Sequence, residues 1–336
     1  MSRRAKHNGG AGKIVVLDGA TLNPGDNPWD AVAALGELEV HDRTPAEAVI
    51  QRANGASVVL TNKTPIDAAA LEALPQLRMI SVLATGTNVI DLVAAERAGV
   101  VVCNVPEYST ESVAQHVFAL LLEVTSAVGE HAAAVRAGQW SRSDDFSFWL
   151  RPTAELAGKV FGIVGHGRIG ARVGEIAHAF GMSVLAHSPS RSRAAAYERF
   201  SWASVEDIFA RSDIVSLHCP LTATNERFVG AALLASMRDQ SILLNTARGG
   251  LIDEPALAAA LAEGRPAAAA LDVLSQEPPP PGHPLLQARH CWITPHLAWS
   301  TLSARRRLMH ETARNVRAFL EGEPRNVVSG SAIKRG

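Results

Sequence analysis

Short apolar runs alternate with Ala- and Leu-rich stretches along most of the chain. In the first third, four such runs predict β-strands, at 13–18, 57–61, 79–83 and 100–104. All-apolar strands separated by helices indicate a parallel sheet that is covered on both faces. We therefore predict a small α/β domain in this part of the chain.

A second α/β series begins at residue 158. Its apolar runs predict six strands, at 160–164, 183–187, 214–218, 241–245, 268–272 and 291–294. A long helical pattern over 111–138 precedes the series, and a basic helical pattern over 303–320 follows it. Two such series in 336 residues indicate two domains, each large enough for a core of its own.

Three glycines follow the first strand of the second series at once. They are Gly165, Gly167 and Gly170, and a helix-permissive segment at 171–180 comes next. This is the G-x-G-x-x-G pattern in the strand-turn-helix context that it requires. Gly165 permits a tight turn, Gly167 the close approach of a pyrophosphate, and Gly170 the packing of the helix on the strand. Together with six strands, the pattern predicts a dinucleotide-binding Rossmann domain.

The two long helical patterns bracket the dinucleotide-binding series, which predicts that the end of the chain returns to the first domain. We expect a discontinuous substrate domain, 13–108 plus 303–328, and a dinucleotide-binding domain at 109–302. We expect disordered tails at 1–12 and 329–336. The ligand site is expected in the cleft between the two domains.

The composition is that of a soluble globular protein, with 32 Lys and Arg against 33 Asp and Glu. This balance predicts no surface for nucleic acid or for an anionic membrane. Polar residues interrupt even the apolar stretch 113–128, so we expect no membrane span. The segment 1–13 lacks the apolar region of a secretion signal, and we expect a cytoplasmic protein. The cysteines lie far apart in apolar runs, which predicts small buried side chains and no metal site: Cys103, Cys219 and Cys291.

Three predicted strands of the second series end in segments with chemically active side chains, Arg248, Glu277 and His296. Open α/β sheets bind ligands at this end of their strands. Arg248 can hold a substrate carboxylate and polarise a carbonyl through charge-assisted hydrogen bonds. His296 can donate a proton to the carbonyl oxygen as hydride reaches the carbon, and Glu277, if bonded to the imidazole, would favour its protonated form. Taken singly, each of the three also has an ordinary structural interpretation.

Five motifs occur in order: GHGRIG, HCPLT, NTARGG, DVLSQEP and TPHLAWS. With them the chain resembles the D-isomer-specific 2-hydroxyacid dehydrogenase family over nearly all of residues 15–328, and most of all its hydroxypyruvate and glyoxylate reductases, also called glycerate dehydrogenases. The resemblance implies two Rossmann-like or flavodoxin-like domains with parallel sheets. It also implies NAD(P)-dependent hydride transfer to a small 2-oxo acid, with Arg248 binding substrate, Glu277 tuning the histidine and His296 as the acid–base residue.

The resemblance further implies contacts to substrate and cofactor. In the segment 83–88, the backbone of Thr85 and Gly86 would face the substrate carboxylate. Trp299 would line the substrate site, although packing is an equally good interpretation. Besides the three glycines, the implied cofactor contacts are Thr85, Arg168, Ile169, Pro220, Thr246, Ala247, Asp272 and His296.

The end of the second strand of the series departs from the family pattern. NAD-preferring members resemble A-Y-D-P there, with an Asp on the ribose 2′-hydroxyl, whereas this chain has Ser188 in that place. The charge that would repel a 2′-phosphate is missing, and Ser190, Arg191 and Arg193 could bind one. We therefore expect NADP rather than NAD, the alternative being that the arginines begin a solvated helix.

Other functions remain open. Formate dehydrogenases of the same family resemble this chain with Gln in place of Glu277, which argues against formate oxidation. Phosphoglycerate dehydrogenases fit as well, although many carry an additional regulatory domain and the resemblance here ends at residue 328. A cofactor-sensing binding protein without enzymatic activity would share the fold. The apolar surface of 111–138 and of the aromatic-rich segment 140–149 exceeds what a connector needs, which predicts a homodimer.

Overall fold

The computed structural model describes the chain over residues 12–191, 193 and 195–328. The tails predicted at 1–12 and 329–336 lie outside this part of the chain, apart from Gly12. The chain divides into two compact units. Unit 1 comprises the residues up to Ser109 and those from Ser300 onward, and unit 2 is Thr110–Trp299.

Unit 1 is built on a parallel sheet. Its described strands are β1 (Lys13–Val16), β2 (Glu37–Val40), β3 (Val58–Thr61), β4 (Met79–Val82) and β5 (Val101–Cys103), which pair in the order β2-β1-β3-β4-β5. The helices between them are α1 (Asp30–Ala33), α2 (Val49–Ala53), α3 (Ala68–Ala73) and α4 (Leu92–Arg97). The central strands β3 and β4 are buried along their whole length, as continuous apolar runs require.

β2 is absent from the predicted strands. Its sequence, Glu-Leu-Glu-Val, alternates charged and apolar residues, and it pairs with β1 at the edge of the sheet. An edge strand that is half exposed does not form the continuous apolar run by which the other strands are predicted.

Unit 2 is built on a larger parallel sheet. Its described strands are β6 (Val160–Val164), β7 (Ser183–His187), β8 (Phe200–Trp202), β9 (Ile214–Leu217), β10 (Ile242–Asn245), β11 (Ala268–Leu271) and β12 (Cys291–Ile293). They pair in the order β12-β11-β10-β9-β6-β7-β8, so the described sheet has seven strands where six are predicted. The additional strand is β8, again a short edge strand. The strand order reverses beside β6, and open α/β sheets bind ligands at such a switch point.

The helical pattern predicted over 111–138 is two helices, α5 (Thr110–Ser126) and α6 (Val128–Arg136). The chain turns between them at Ala127, whose φ of 50° is left-handed. α5 buries a face that includes Val117, Leu120 and Leu121 in the core of unit 2. Among the described residues, no single helix is long and apolar enough to span a membrane, and α5 and α6 pass that test only together, across a bend of 57°.

The remaining helices of unit 2 are α7 (Arg168–Ala179), α8 (Val205–Arg211), α9 (Ala231–Ser236), α10 (Glu254–Glu263) and α11 (Pro284–Gln287). The last helix, α12 (Leu302–Leu320), belongs to unit 1. Its Arg305 donates two hydrogen bonds to the Asp26 carboxylate, at 2.6 and 2.7 Å, and a third to the Leu22 carbonyl. The hydrogen bond from Arg305 lowers the pKa of Asp26. This charge pair fixes α12 to the loop that follows β1.

Candidate active site

The glycine-rich turn after β6 has the geometry that a pyrophosphate needs. Gly165 has φ +102°, and a Cβ at this position would lie 2.4 Å from the Cys219 amide nitrogen. A Cβ on Gly170 would lie 2.3 Å from the Gly165 carbonyl oxygen, so α7 packs directly on the turn. Gly167 precedes α7, and apart from its two chain neighbours no described residue has a heavy atom within 4 Å of a Cβ built there. This open space beside the amino end of a helix fits a dinucleotide cofactor.

The unit 2 residues with implied cofactor contacts lie along one edge of its sheet, whereas Thr85 belongs to unit 1. Because all seven described strands are parallel, the segments that follow them share this edge. Arg168 and Ile169 begin α7. The others follow the strands: Ser188, Ser190, Arg191 and Arg193 after β7, Pro220 after β9, Thr246 and Ala247 after β10, Asp272 after β11, and His296 after β12.

The structure brings two of the predicted catalytic side chains into contact. His296 Nδ1 lies 2.6 Å from Glu277 Oε2, and the other oxygen of Glu277 accepts a hydrogen bond of 3.0 Å from the Leu274 amide. With Nδ1–H donated to the carboxylate, Nε2 is the nitrogen left to exchange a proton with a substrate. The side chains of His296 and Glu277 are 25% and 34% exposed, which leaves the pair accessible.

The His296 backbone is held in an unusual conformation. Its φ is 50°, in the left-handed region that residues other than glycine seldom adopt. The His296 amide donates to the Asp272 carbonyl at 2.8 Å, and Trp299 Nε1 donates to the His296 carbonyl at 2.9 Å. Strain of this kind persists where the surroundings determine the backbone, as they do here. Trp299 therefore braces residues 294–300, here called the histidine loop, through this hydrogen bond.

Asp272 anchors the same loop from the side of the sheet. Its buried carboxylate accepts hydrogen bonds from Thr294 Oγ1 at 2.6 Å and from the amides of Leu297 and Ala298 at 2.9 and 2.8 Å. Burial raises the pKa of Asp272, but hydrogen bonds from His116, Thr294 and the two amides outweigh burial and hold the pKa below its usual value. The ionised carboxylate therefore ties the histidine loop to the end of β11.

Helix α5 supports this arrangement with residues that the sequence motifs do not include. His116 Nε2 donates to Thr294 Oγ1 at 3.0 Å, and Ser112 Oγ donates to the Ala298 carbonyl at 2.5 Å. Ser112 and His116 are one helical turn apart on α5, so both face the histidine loop. Their spacing is the one sequence signal that could have indicated a shared role.

Arg248 follows β10, which lies next to β11 in the sheet. Its side chain is exposed, with Nη1 donating to the Ala247 carbonyl at 2.6 Å. Asn245 fixes the turn, because its side chain bonds the Ala247 amide and the Arg248 carbonyl. A Cβ on Gly249 would lie 1.9 Å from the Leu274 carbonyl carbon, so the backbones after β10 and β11 are in contact.

In unit 1, Thr85 and Gly86 lie in the loop after β4. Thr85 Oγ1 donates to the Val105 carbonyl at 3.0 Å, and Asn104 Nδ2 donates to the Thr85 carbonyl at 2.7 Å. Asn315 of α12 in turn donates to the Asn104 carbonyl at 2.8 Å. The implied substrate loop is therefore supported by the segment after β5 and by α12 within its own unit.

Two imidazoles lie in and beside the glycine-rich turn, His166 buried and His218 partly buried. Burial lowers the pKa of His166, whose ring packs against Phe200 and Trp202. Burial, with His166 nearby, lowers the pKa of His218 to about 3, and Ser216 Oγ lies 2.8 Å from its Nε2. His218 is therefore neutral at physiological pH, and electrostatic attraction for a pyrophosphate must come from amide groups and other side chains.

The three cysteines differ in burial. Cys103 is buried, whereas Cys219 and Cys291 are partly exposed, so the prediction of three buried side chains is too strong. Burial raises the pKa of Cys103 and of Cys291 to about 12, which disfavours the reactive thiolate. Within the described residues, no group of three or more His, Cys, Asp or Glu side chains could hold a metal ion.

Comparison with known proteins identifies the family. The model of the NAD-binding domain of D-isomer specific 2-hydroxyacid dehydrogenases matches residues 118–298. The chain belongs to this family. It is 45% identical over 320 residues to hydroxypyruvate reductase from Blautia hydrogenotrophica, a match that covers 94% of this chain and 99% of the relative.

Solved structures agree with this assignment. Protein TT0316 from Thermus thermophilus superposes with a TM-score of 0.84 at 35% identity, covering 94% of this chain and 99% of that one. An acyclic imino acid reductase in complex with NADPH and D-Arg has a TM-score of 0.81 at 30% identity, with coverage of 94% and 99%. The predicted fold and family are confirmed. This D-2-hydroxyacid dehydrogenase is an oxidoreductase for the CH–OH group of hydroxy acids, with a nicotinamide cofactor.

We expect Asp272→Asn to remove an acid-sensitive part of the stability. Because the pKa of the folded carboxyl group lies below its usual 3.8, the ionised group stabilises the fold above that pH, and this stabilisation is lost as the pH falls through the folded pKa. Urea denaturation should show wild type more stable than the variant by roughly 1–3 kcal/mol near neutral pH and by less at about pH 3. A difference that does not change with pH would contradict this prediction.

Proposed function

We propose that this chain reduces hydroxypyruvate or glyoxylate, and in the reverse direction oxidises the corresponding D-2-hydroxy acid. The observation that carries the proposal is the 2.6 Å contact between His296 Nδ1 and Glu277 Oε2, at the ligand-binding edge of a dinucleotide-binding sheet. The 45% identity to a hydroxypyruvate reductase over 94% of this chain supports the choice of substrate. The pair of His296 and Glu277 distinguishes the proposed reaction from formate oxidation, because formate oxidation needs no proton exchange.

In the proposed reaction His296 is the acid. The bound cofactor supplies the hydride, and the carbonyl oxygen of the substrate must gain a proton as its carbon is reduced. His296 donates that proton from Nε2 while Glu277 stabilises the cationic imidazole through Nδ1. In the oxidative direction the neutral imidazole takes the proton back. The hydrogen bond to Glu277 fixes Nδ1, and the side chain of His296 is 25% exposed, so Nε2 is the nitrogen proposed to meet the substrate.

Each unit offers donors that are proposed to bind a substrate carboxylate, and in unit 2 these belong to Arg248. The guanidinium group can form two parallel hydrogen bonds to a carboxylate and can polarise the adjacent carbonyl. Its exposed position at the end of β10 leaves those donors accessible to a ligand. Within unit 1, the amide groups of Thr85 and Gly86 are proposed as carboxylate donors, with Asn104 holding the Thr85 carbonyl.

Replacing the acid tests this assignment. We expect His296→Asn to lower kcat for hydroxypyruvate reduction by about 10²–10⁴-fold, because the general acid is lost. The Kd for NADPH should change much less than kcat, because His296 is only one of the implied cofactor contacts and the glycine-rich turn is unchanged. His310→Asn, at an exposed position of α12, is the matched control. Unchanged turnover in His296→Asn would show that another group donates the proton.

We further propose that NADPH is preferred to NADH. Ser188 follows β7, where an acidic residue would repel a 2′-phosphate, and its side chain is uncharged. Ser190, Arg191 and Arg193 follow in an exposed segment and can supply hydrogen bonds and positive charge to a phosphate. The NADPH complex of the imino acid reductase concerns that relative, but it is consistent with this choice within the fold.

A charge at position 188 should reverse the preference. We expect Ser188→Asp to lower the ratio of kcat/KM for NADPH to kcat/KM for NADH by roughly tenfold or more, because a carboxylate disfavours the 2′-phosphate. Steady-state kinetics with hydroxypyruvate and both cofactors measures the ratio. Ser201→Asp adds the same charge at an exposed position of β8 and should leave the ratio unchanged. A wild-type enzyme that prefers NADH would contradict the proposal.

A homodimer is proposed to form through unit 2. The segment after α6 exposes large aromatic side chains, with Phe146 91% and Trp149 72% accessible. The segment is ordered by its own hydrogen bonds, because Trp140 Nε1 donates to the Phe146 carbonyl and the Leu150 amide donates to His131 Nε2, both at 3.0 Å. An ordered aromatic surface of this kind is typical of a subunit interface, and a second copy of the chain is its proposed partner.

A charge within this surface should separate the subunits. We expect Trp149→Asp to sediment as a monomer at micromolar concentration, whereas the wild type sediments as a dimer, because a buried unpaired carboxylate disfavours association. Val93→Asp, on a residue 61% exposed in unit 1, is the control and should remain dimeric. A monomeric wild type would refute the proposal.

A further inference from the structure

Glu254 is a buried carboxylate with no part in the proposed proton transfer. It is the first residue of α10 and is 7% exposed. Its Oε1 accepts a hydrogen bond of 2.7 Å from the Ser275 amide, and its Oε2 accepts from Ser275 Oγ and, at 3.1 Å, from His283 Nε2. A buried carboxylate is tolerated only with such a set of donors, and the amino end of a helix favours its charge. Glu254 therefore accepts hydrogen bonds from Ser275 and from the imidazole of His283.

His283 fixes the other side of this carboxylate. It is buried, it donates from Nε2 to Glu254, and its Nδ1 accepts from the Leu285 amide at 3.4 Å, where it caps the start of α11. Both ring nitrogens are thus used by the protein. The contacts join α10, α11 and the loop after β11 around one carboxylate.

The loop after β11 is the one that carries Glu277. Ser275, held by Glu254, is two residues before Glu277, and the amide of Leu274 donates to Glu277 Oε1 at 3.0 Å. On its other side, the loop backbone at Leu274 touches Gly249, with no room for a Cβ. The carboxylate that contacts His296 is thus positioned by a peptide segment whose place Glu254 determines.

We propose that Glu254 is a positioning residue for the reaction: it fixes the 273–277 loop so that Glu277 remains hydrogen bonded to His296. The inference rests on the proposed function, because it gives Glu254 its effect through the acid–base pair. It does not make Glu254 a catalytic residue, since the hydrogen bonds of its carboxylate go to Ser275 and His283 and not to the acid–base pair. Of the described charged or titratable groups, Asp272 accepts hydrogen bonds from the histidine loop and His116 bonds Thr294 behind it, while Arg248 follows β10 in the turn that touches the 273–277 loop at Gly249.

The kinetic test uses Glu254→Gln in the full-length protein, with hydroxypyruvate and NADPH. A carboxamide has one acceptor oxygen and an NH2 donor in place of the other oxygen, so it cannot accept all three hydrogen bonds, from the Ser275 amide, Ser275 Oγ and His283 Nε2. We expect kcat to fall roughly 10–100-fold, as misplacement of a catalytic group does, while KM for NADPH stays within about twofold. The pH profile of kcat should change in the same way as in Glu277→Gln, because each variant removes the hydrogen bond between Glu277 and His296.

A purely structural role would not give this combination. If Glu254 acts through Glu277, the double variant Glu254→Gln with Glu277→Gln should have the kcat and the pH profile of Glu277→Gln alone. Independent effects would multiply, and that result would overturn the proposal. Glu263→Gln, an exposed carboxylate at the end of the same helix, is the control and should behave as wild type. Ser275→Ala removes one of the donors without changing the charge, and it serves in place of Glu254→Gln if that variant does not fold.

Crystal structures of the wild type and of the variants separate this inference from the proposed function. The distance between His296 Nδ1 and Glu277 Oε2 does not depend on turnover. We expect this hydrogen bond to be present in the wild type and broken in Glu254→Gln or Ser275→Ala. If it persists in both variants, the positioning role is overturned even if the enzyme reduces hydroxypyruvate. If the variants break it but the wild type reduces no 2-oxo acid, the proposed function is refuted instead.

Discussion

Parallel pairing of β10, β11 and β12 brings the carboxyl ends of three neighbouring strands to one edge of the sheet. Three of the supporting side chains in unit 2, Asn245, Asp272 and Thr294, come directly after or at the end of these strands. Asn245 bonds the turn that carries Arg248, Asp272 accepts from the loop that carries His296, and Thr294 donates to Asp272. A one-residue shift in the pairing would turn these side chains to the opposite face and separate them from the loops that they hold.

Buried carboxylates give the loops beyond these strands their rigidity. Asp272 accepts hydrogen bonds from the histidine loop, and Glu254 accepts them from the loop that carries Glu277. Removing a carboxylate from water costs several kcal/mol unless donors replace the water, and here backbone amides provide part of that replacement. An amide can reach the carboxylate only in one backbone conformation of the loop. The hydrogen bonds that stabilise the buried charge therefore also fix the loop. The left-handed φ of His296 is a conformation that such a loop can maintain.

The sequence was informative where physical constraints are local. The glycines of the turn after β6 and the all-apolar central strands are required by contacts within a few residues or by burial on both faces, so both could be predicted. The edge strands β2 and β8 and the turn at Ala127 could not, since alternating or short segments leave no such signal. The three catalytic candidates came from strand-end positions and from the family motifs. His116 and Glu254 act on partners 178 and 21 residues away, a distance at which spacing carries no information.

The histidines of unit 2 differ in burial, and their roles differ accordingly. His218 is neutral at physiological pH, and burial also disfavours the charged form of His166, so these imidazoles serve as packing beside the glycine-rich turn. His116 and His283 donate from Nε2 to fixed acceptors and support loops. His296 differs from all of these, because one nitrogen bonds a partly exposed carboxylate and a quarter of the side chain remains accessible. Proton exchange requires both an accessible nitrogen and a partner for the cation. His296, at the carboxyl end of β12, meets both conditions.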